Sequence, residues 1–229
     1  MLTLETIALI VFYVMMGVEC LFLIPISIKY KWLDKPGKFI YYYLLSSIVF
    51  AVGSIICRYI DLNNMWLFAI MHYLQFFFIS LFYLYVIQNF IIKIGIRILL
   101  VIQFFIVIAD FFLIEGHDVF NSISVSIRNF ALLIYAMIYF LQLMKDEKLI
   151  EKLIYINHLP SFWYNAGLFI YTCASFMFCL STNYIQHTNK AEQNDFLIVM
   201  IFNYGSGIIQ IIFFFIALLK FNRITKNNF

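Results

Sequence analysis

Charge is what this sequence has least of. Of its 229 residues only 12% are Asp, Glu, Lys or Arg and 65% are hydrophobic, with a mean hydropathy of +0.95. Water-soluble domains carry about 25% charged residues and about 45–50% apolar ones, so a globule made from this chain would lack the polar surface to face water. A soluble enzyme is excluded on that ground. A net charge of only +3 gives no basic patch for nucleic acid, whose phosphates call for several cationic contacts.

Other scarcities exclude specific chemistries. There is no GxSxG, HExxH or P-loop pattern. Four cysteines, Cys20, Cys57, Cys173 and Cys179, show no CxxC spacing, so neither a disulfide framework nor a zinc site is expected and they read as buried small hydrophobes. Of four histidines only His72 falls inside an apolar run, while His117, His158 and His187 sit between runs, a poor set for a metal. The last run has no lysine before Lys220 at its end, which excludes a retinal Schiff base there. The expectation is a non-enzymatic protein with no cofactor and no metal. Proline is rare too: Pro25 is expected to kink the end of the first run, Pro36 with Gly37 to make a turn, and Pro160 to open the sixth run, where its missing N–H costs nothing.

Long apolar runs are abundant. Roughly 20 apolar residues cross a bilayer as a helix, and seven stretches qualify, at 6–27, 39–58, 65–87, 98–114, 124–144, 161–183 and 196–219. None alternates as a membrane β-strand would. The expected fold is an all-α integral membrane protein, a single domain over 1–229 built as a seven-transmembrane-helix bundle. The start, MLTLETIALIVFYVMMGVEC, lacks the basic segment and cleavage site of a signal peptide and is read as the first span.

Orientation follows from the basic residues. Lys29, Lys31, Lys35, Lys38, Lys93, Arg97, Lys145, Lys148, Lys152, Lys220, Arg223 and Lys226 fall on one side, and Arg58, Arg128 and Lys190 on the other. By the positive-inside rule the N-terminus lies outside and the C-terminus in the cytoplasm of a plasma (inner) membrane.

Ionisable side chains within spans are costly and are functional hypotheses by default. Span one carries Glu19, span three His72 and Gln75 one turn apart, span four Asp110, span five Arg128, span seven Asn203, and span two ends at Arg58. Ser47, Ala51, Ser54 and Arg58 form one stripe of span two, and Asn165, Thr172 and Cys179 one of span six. At ~1.5 Å per residue, His72, Asp110, Arg128 and Asn203 fall one to two turns below the outer surface. The short connection after span four makes Asp110 and Arg128 neighbours, so an ion pair lining an outward-facing polar pocket is expected. Other readings stay open: arginines snorkelling to headgroups, Asp110 ending its helix, His72 with Gln75 as interhelical glue, and a protonated Glu19 bonded to Ser46, Ser47 or Asn165. The 21% of aromatic residues, including Tyr41-Tyr42-Tyr43, reads mostly as lipid-facing and interfacial packing.

The entry to span six reads LPSFWYNAGLFIYTCASFMF, in which Pro160, Phe162, Trp163, Gly167 and Tyr171 make a Pro-x-Phe-Trp start followed by small and aromatic residues on one helical face. This stretch, with the span count and orientation, resembles the seven-helix sensory membrane modules that precede or accompany bacterial histidine kinases. The resemblance implies reception of an outside signal and its transfer inward by helix movement. FNRITKNNF follows span seven with no output domain, so on this resemblance either a cytoplasmic signalling partner supplies the output or the rest lies elsewhere. Two functions are therefore in view. One is a receptor for a small molecule or lipid bound among His72, Gln75, Asp110, Arg128, Asn203 and Arg58. The other is a small transporter or channel with Glu19 as coupling carboxylate, aided by a Gly205-Ser206-Gly207 stretch that loosens span seven.

Overall fold

The structure, a computed structural model, describes residues 3–117, 119–146, 156–188 and 193–226, without the side chains at 58, 183, 185–188, 193 and 222–226. Seven of its helices are long and apolar enough to cross a membrane. They are α1 (Leu4–Ile28), α2 (Lys35–Tyr59), α3 (Met65–Val86), α4 (Phe90–Ala109), α5 (Ser122–Met144), α6 (Pro160–Thr188) and α7 (Gln193–Lys226), with no strand among the described residues. The protein is thus an all-helical bundle of the kind that lipid demands, since within a helix the interior backbone polar groups satisfy one another. Helix α7 packs along both α6 and α1, α5 along α6, and α2 along α3, while α4 sits at the side against α3 and α5.

Local chemistry sets the boundaries. Thr3 caps α1 by accepting from Thr6 N–H, and Pro25 lies within the last turn of that helix. Pro36 and Gly37 belong to the first turn of α2, not to a separate turn. The Asp34 carboxylate accepts from Gly37 N–H at 2.9 Å and caps that helix. Burial lifts the Asp34 carboxyl above its usual range, and this backbone N–H offsets part of the rise. Span four is longer than the expected 98–114. Asn89 accepts from Ile91 and Ile92 N–H and starts α4 at Phe90, so Lys93 and Arg97 lie on the helix instead of in a loop. Four residues apart, they share one face, and their stems can lie along apolar surface. Helix α4 ends in one wide turn, Asp110–Ile114, after which Gly116 takes a φ of +92° that favours glycine and turns the chain toward α5.

Short connections make successive helices antiparallel. The bundle therefore has an N-end, where α1 begins, and a C-end, where it finishes. The hydrophobic core fills the C-end half: Phe22, Tyr43, Phe76, Tyr83, Tyr164 and Phe214 are all buried in it. Only a minority of the aromatics enter this core, and residues such as Tyr13, Trp66, Phe105, Phe112 and Phe202 are exposed on the outer helix faces. Tyr43 is buried and donates to Gln210 Oε1 at 3.3 Å, Tyr83 donates to Asn165 Oδ1 at 2.8 Å, and Asn165 Nδ2 donates to the Ala136 carbonyl at 3.2 Å. Gly167 brings α6 against α7, since a Cβ there would lie 3.0 Å from the Gln210 carbonyl oxygen. Cys57 and Cys179 are buried as expected, but Cys20 is exposed.

Candidate functional site

The N-end half is hollow. A cavity of about 1120 Å³ reaches from the α2–α3 connection (Asp61 to Asn64) down to Glu19, Ser47 and Tyr171. Its size is just above the range of ordinary small-molecule sites, about 300–1,000 Å³. Most of the wall is apolar, supplied by residues such as Phe12, Met15 and Phe50, with a few polar groups converging on it. Four residues singled out in the sequence line it: Glu19, His72, Gln75 and Asn203. The α2 stripe joins them through Ser47, Ala51 and Ser54. The side chain of Arg58 lies outside the described residues, as do Lys148, Lys152 and Lys190.

Behind the His72 wall lies a buried polar network on α3, α5 and α6. Arg128 is only 2% exposed. Its Nη1 donates to His72 Nδ1, to the His72 carbonyl at 3.4 Å and to Gln75 Oε1 at 3.3 Å. Its Nε and Nη2 both donate to Asn129 Oδ1, at 3.1 and 2.8 Å. Asn129 in turn donates to Ser175 Oγ at 2.9 Å and to Cys179 Sγ at 3.6 Å. Arginine can only donate, so His72 Nδ1 is the acceptor and the ring hydrogen sits on Nε2. His72 Nε2, Ser54 Oγ and Asn203 Oδ1 are buried with no hydrogen-bond partner in the protein, and all three residues line the cavity.

The expected ion pair between Asp110 and Arg128 does not form. Asp110 is fully buried, and its Oδ2 accepts from Ser124 N–H at 2.8 Å. Glu115 accepts from Ser122 Oγ at 2.5 Å and from Ile123 N–H at 3.3 Å. Both carboxylates therefore crown the first turn of α5. The N–H groups of that turn have no partner within the helix, and its dipole favours negative charge. Asp110 meets the helix one turn before Arg128 and is absent from the cavity wall. Among the described residues no carboxylate contacts Arg128, whose acceptors all belong to His72, Gln75 and Asn129.

Sequence reasoning missed Asn129, Ser175 and the cavity-facing role of Tyr171. The signal for Asn129 was its place beside an arginine, since a long side chain can fold back onto its neighbour. Glu19 is 7% exposed and faces the Ser47 hydroxyl, one of the three partners expected for it. Asn165 is engaged with Tyr83 and Ala136 instead, and Ser46 with the Tyr43 carbonyl at 2.7 Å. Helix α7 runs unbroken through Gly205-Ser206-Gly207, with Ser206 Oγ donating to the Asn203 carbonyl at 2.6 Å. The loosened span imagined for a carrier is absent. No group of three or more metal-binding side chains occurs among the described residues.

Fold and cavity together define a class: a multi-pass, seven-helix membrane protein with a hollow at one end. Comparison with family models, with curated proteins and with solved structures gave no match to this chain.

Proposed function

We propose that the protein is a non-enzymatic receptor or sensor of the plasma (inner) membrane. It holds a small molecule or lipid in the N-end cavity and signals to a cytoplasmic partner at the C-end. The single observation that carries this reading is the one-sidedness of the interior: a large cavity in one half, and a close-packed aromatic core below Glu19 in the other. A channel needs a continuous path, whereas a receptor needs a pocket on one side and a body that repacks when it fills. The basic residues Lys29, Lys31, Lys38, Lys145 and Lys220 lie at the C-end, which supports the orientation with the N-terminus outside.

The test is native mass spectrometry of the gently extracted protein, together with flux measurements on proteoliposomes. A bound small molecule or lipid, or a stoichiometric partner docked on the complex, is the expected result. Solute-dependent proton flux that Glu19→Gln abolishes would replace the receptor with a carrier. That second reading is favoured by one observation, the placing of Glu19 on the cavity floor.

A further inference from the structure

At the level of His72 the cavity's polar wall is biased toward one charge by a cation behind it. Arg128 carries its cation in the interior with only uncharged acceptors around it, and burying an unpaired charge is expensive. One of its N–H groups points into His72 Nδ1, which fixes the hydrogen on Nε2 and polarises that N–H away from the arginine. His72 is nine-tenths buried, at 9% exposure. Its Nε2 has no partner in the protein, and the residue lines the cavity. The Ser54 hydroxyl is a second unpartnered group on the same wall. Asn203, 8% exposed, is a third, and its amide can turn to present Nδ2 as a donor. Below this level the wall is mostly Phe, Met and Tyr.

Depth separates this polar level from Glu19. At about 1.5 Å per residue, His72 lies about 10 Å below the start of α3 and Glu19 about 22 Å below the start of α1. The charged residues among the described cavity lining are both acidic, Glu19 on the floor and Asp61 at the mouth, so the positive field at the His72 level comes from Arg128 behind the wall.

We infer that the cavity takes an amphiphile with an acidic head, a carboxylate or phosphate, whose oxygen accepts from His72 Nε2–H while its apolar chain lies along the aromatic and methionine wall. This rests on the receptor reading and names its ligand class. The acidic head comes either from a single-chain acid in solution or from an anionic bilayer lipid, and the bound chemistry is the same.

The experiment uses the full chain in phosphatidylcholine nanodiscs, with dodecanoate, dodecyl phosphate, dodecanol and dodecylammonium compared by equilibrium dialysis. Dodecanoate or dodecyl phosphate should bind at least about tenfold more tightly than dodecanol, and His72→Phe should remove that preference while dodecanol still binds. Phosphatidylglycerol doped into the nanodisc distinguishes the sources. Displacement of dodecanoate assigns the site to a bilayer lipid, and unchanged binding assigns it to a soluble acid. Equal affinity for acid and alcohol overturns the acidic head and leaves the receptor reading in place. Tightest binding by the ammonium overturns it in favour of Glu19 as the head's partner. No binding across the series overturns the inference and the ligand-binding reading together.

Discussion

The two ends of the bundle are built to different rules. In the C-end half, rings meet rings: Phe214 touches Tyr43 and Tyr164, with centroids 6.3 and 5.6 Å apart, and Tyr43, Tyr83 and Asn165 pair across helices while Ser80 Oγ, Tyr135 OH and Gln210 Nε2 stay unpartnered within close-packed surroundings. In the N-end half the helices stand apart around a cavity, and the groups lining it include three unpartnered polar atoms. Lipid tails are as apolar as leucine, so helices in a membrane associate by close packing and hydrogen bonds instead of by escape from water. The packed half supplies that association, which frees the other half to be hollow. The polar network of Arg128, His72, Gln75 and Asn129 lies where the two meet and holds α3, α5 and α6 together at the cavity's edge.

Five substitutions, in three tests, probe that contrast in order of expected effect. Phe214→Ala removes a fully buried ring and should destabilise the protein by about 3–5 kcal/mol, whereas Met16→Ala on the cavity wall should cost under about 1 kcal/mol. Reversible unfolding in detergent micelles reads both, and equal losses would mean that the two halves are not energetically distinct. Asn129→Leu leaves two N–H groups of a buried guanidinium without an acceptor and should cost about 1.5–3 kcal/mol. In the same assay, a loss near zero would show that water reaches Arg128. Gly167→Ala pushes a methyl against the Gln210 carbonyl and should cost about 1–3 kcal/mol. Gly205→Ala meets nothing within 4 Å and should stabilise the helix by about 0.5–1 kcal/mol. Melting temperatures moving the same way for both glycines would remove the close α6–α7 contact as an explanation.

Seven helices were legible in the sequence because hydropathy over a window is set by the bilayer, not by tertiary detail. The start of α4 was missed because Lys93 and Arg97 look like loop residues until Asn89 is recognised as a cap. Within the site, His72, Gln75, Glu19 and Asn203 were legible since a polar residue in an apolar helix must face protein or a cavity. The Asp110–Arg128 pairing was not, for a physical reason. Opposite charges can be counted along a chain, but the demand of a helix's first N–H groups is invisible in a list of side chains. That demand took Asp110 and Glu115, and it left Arg128 with the side chains of α3 and with Asn129.

Helix α7 has 34 residues, which at 1.5 Å of rise makes a rod about 50 Å long, against a hydrocarbon layer about 30 Å thick. Its upper part borders the cavity at Asn203 and Tyr204, and its middle is gripped at Gly167 by the backbone contact at Gln210. Beyond that contact several more turns continue toward Lys226. A rod packed along both α6 and α1 can carry a displacement beside the cavity to its opposite tip only if those two neighbours move with it.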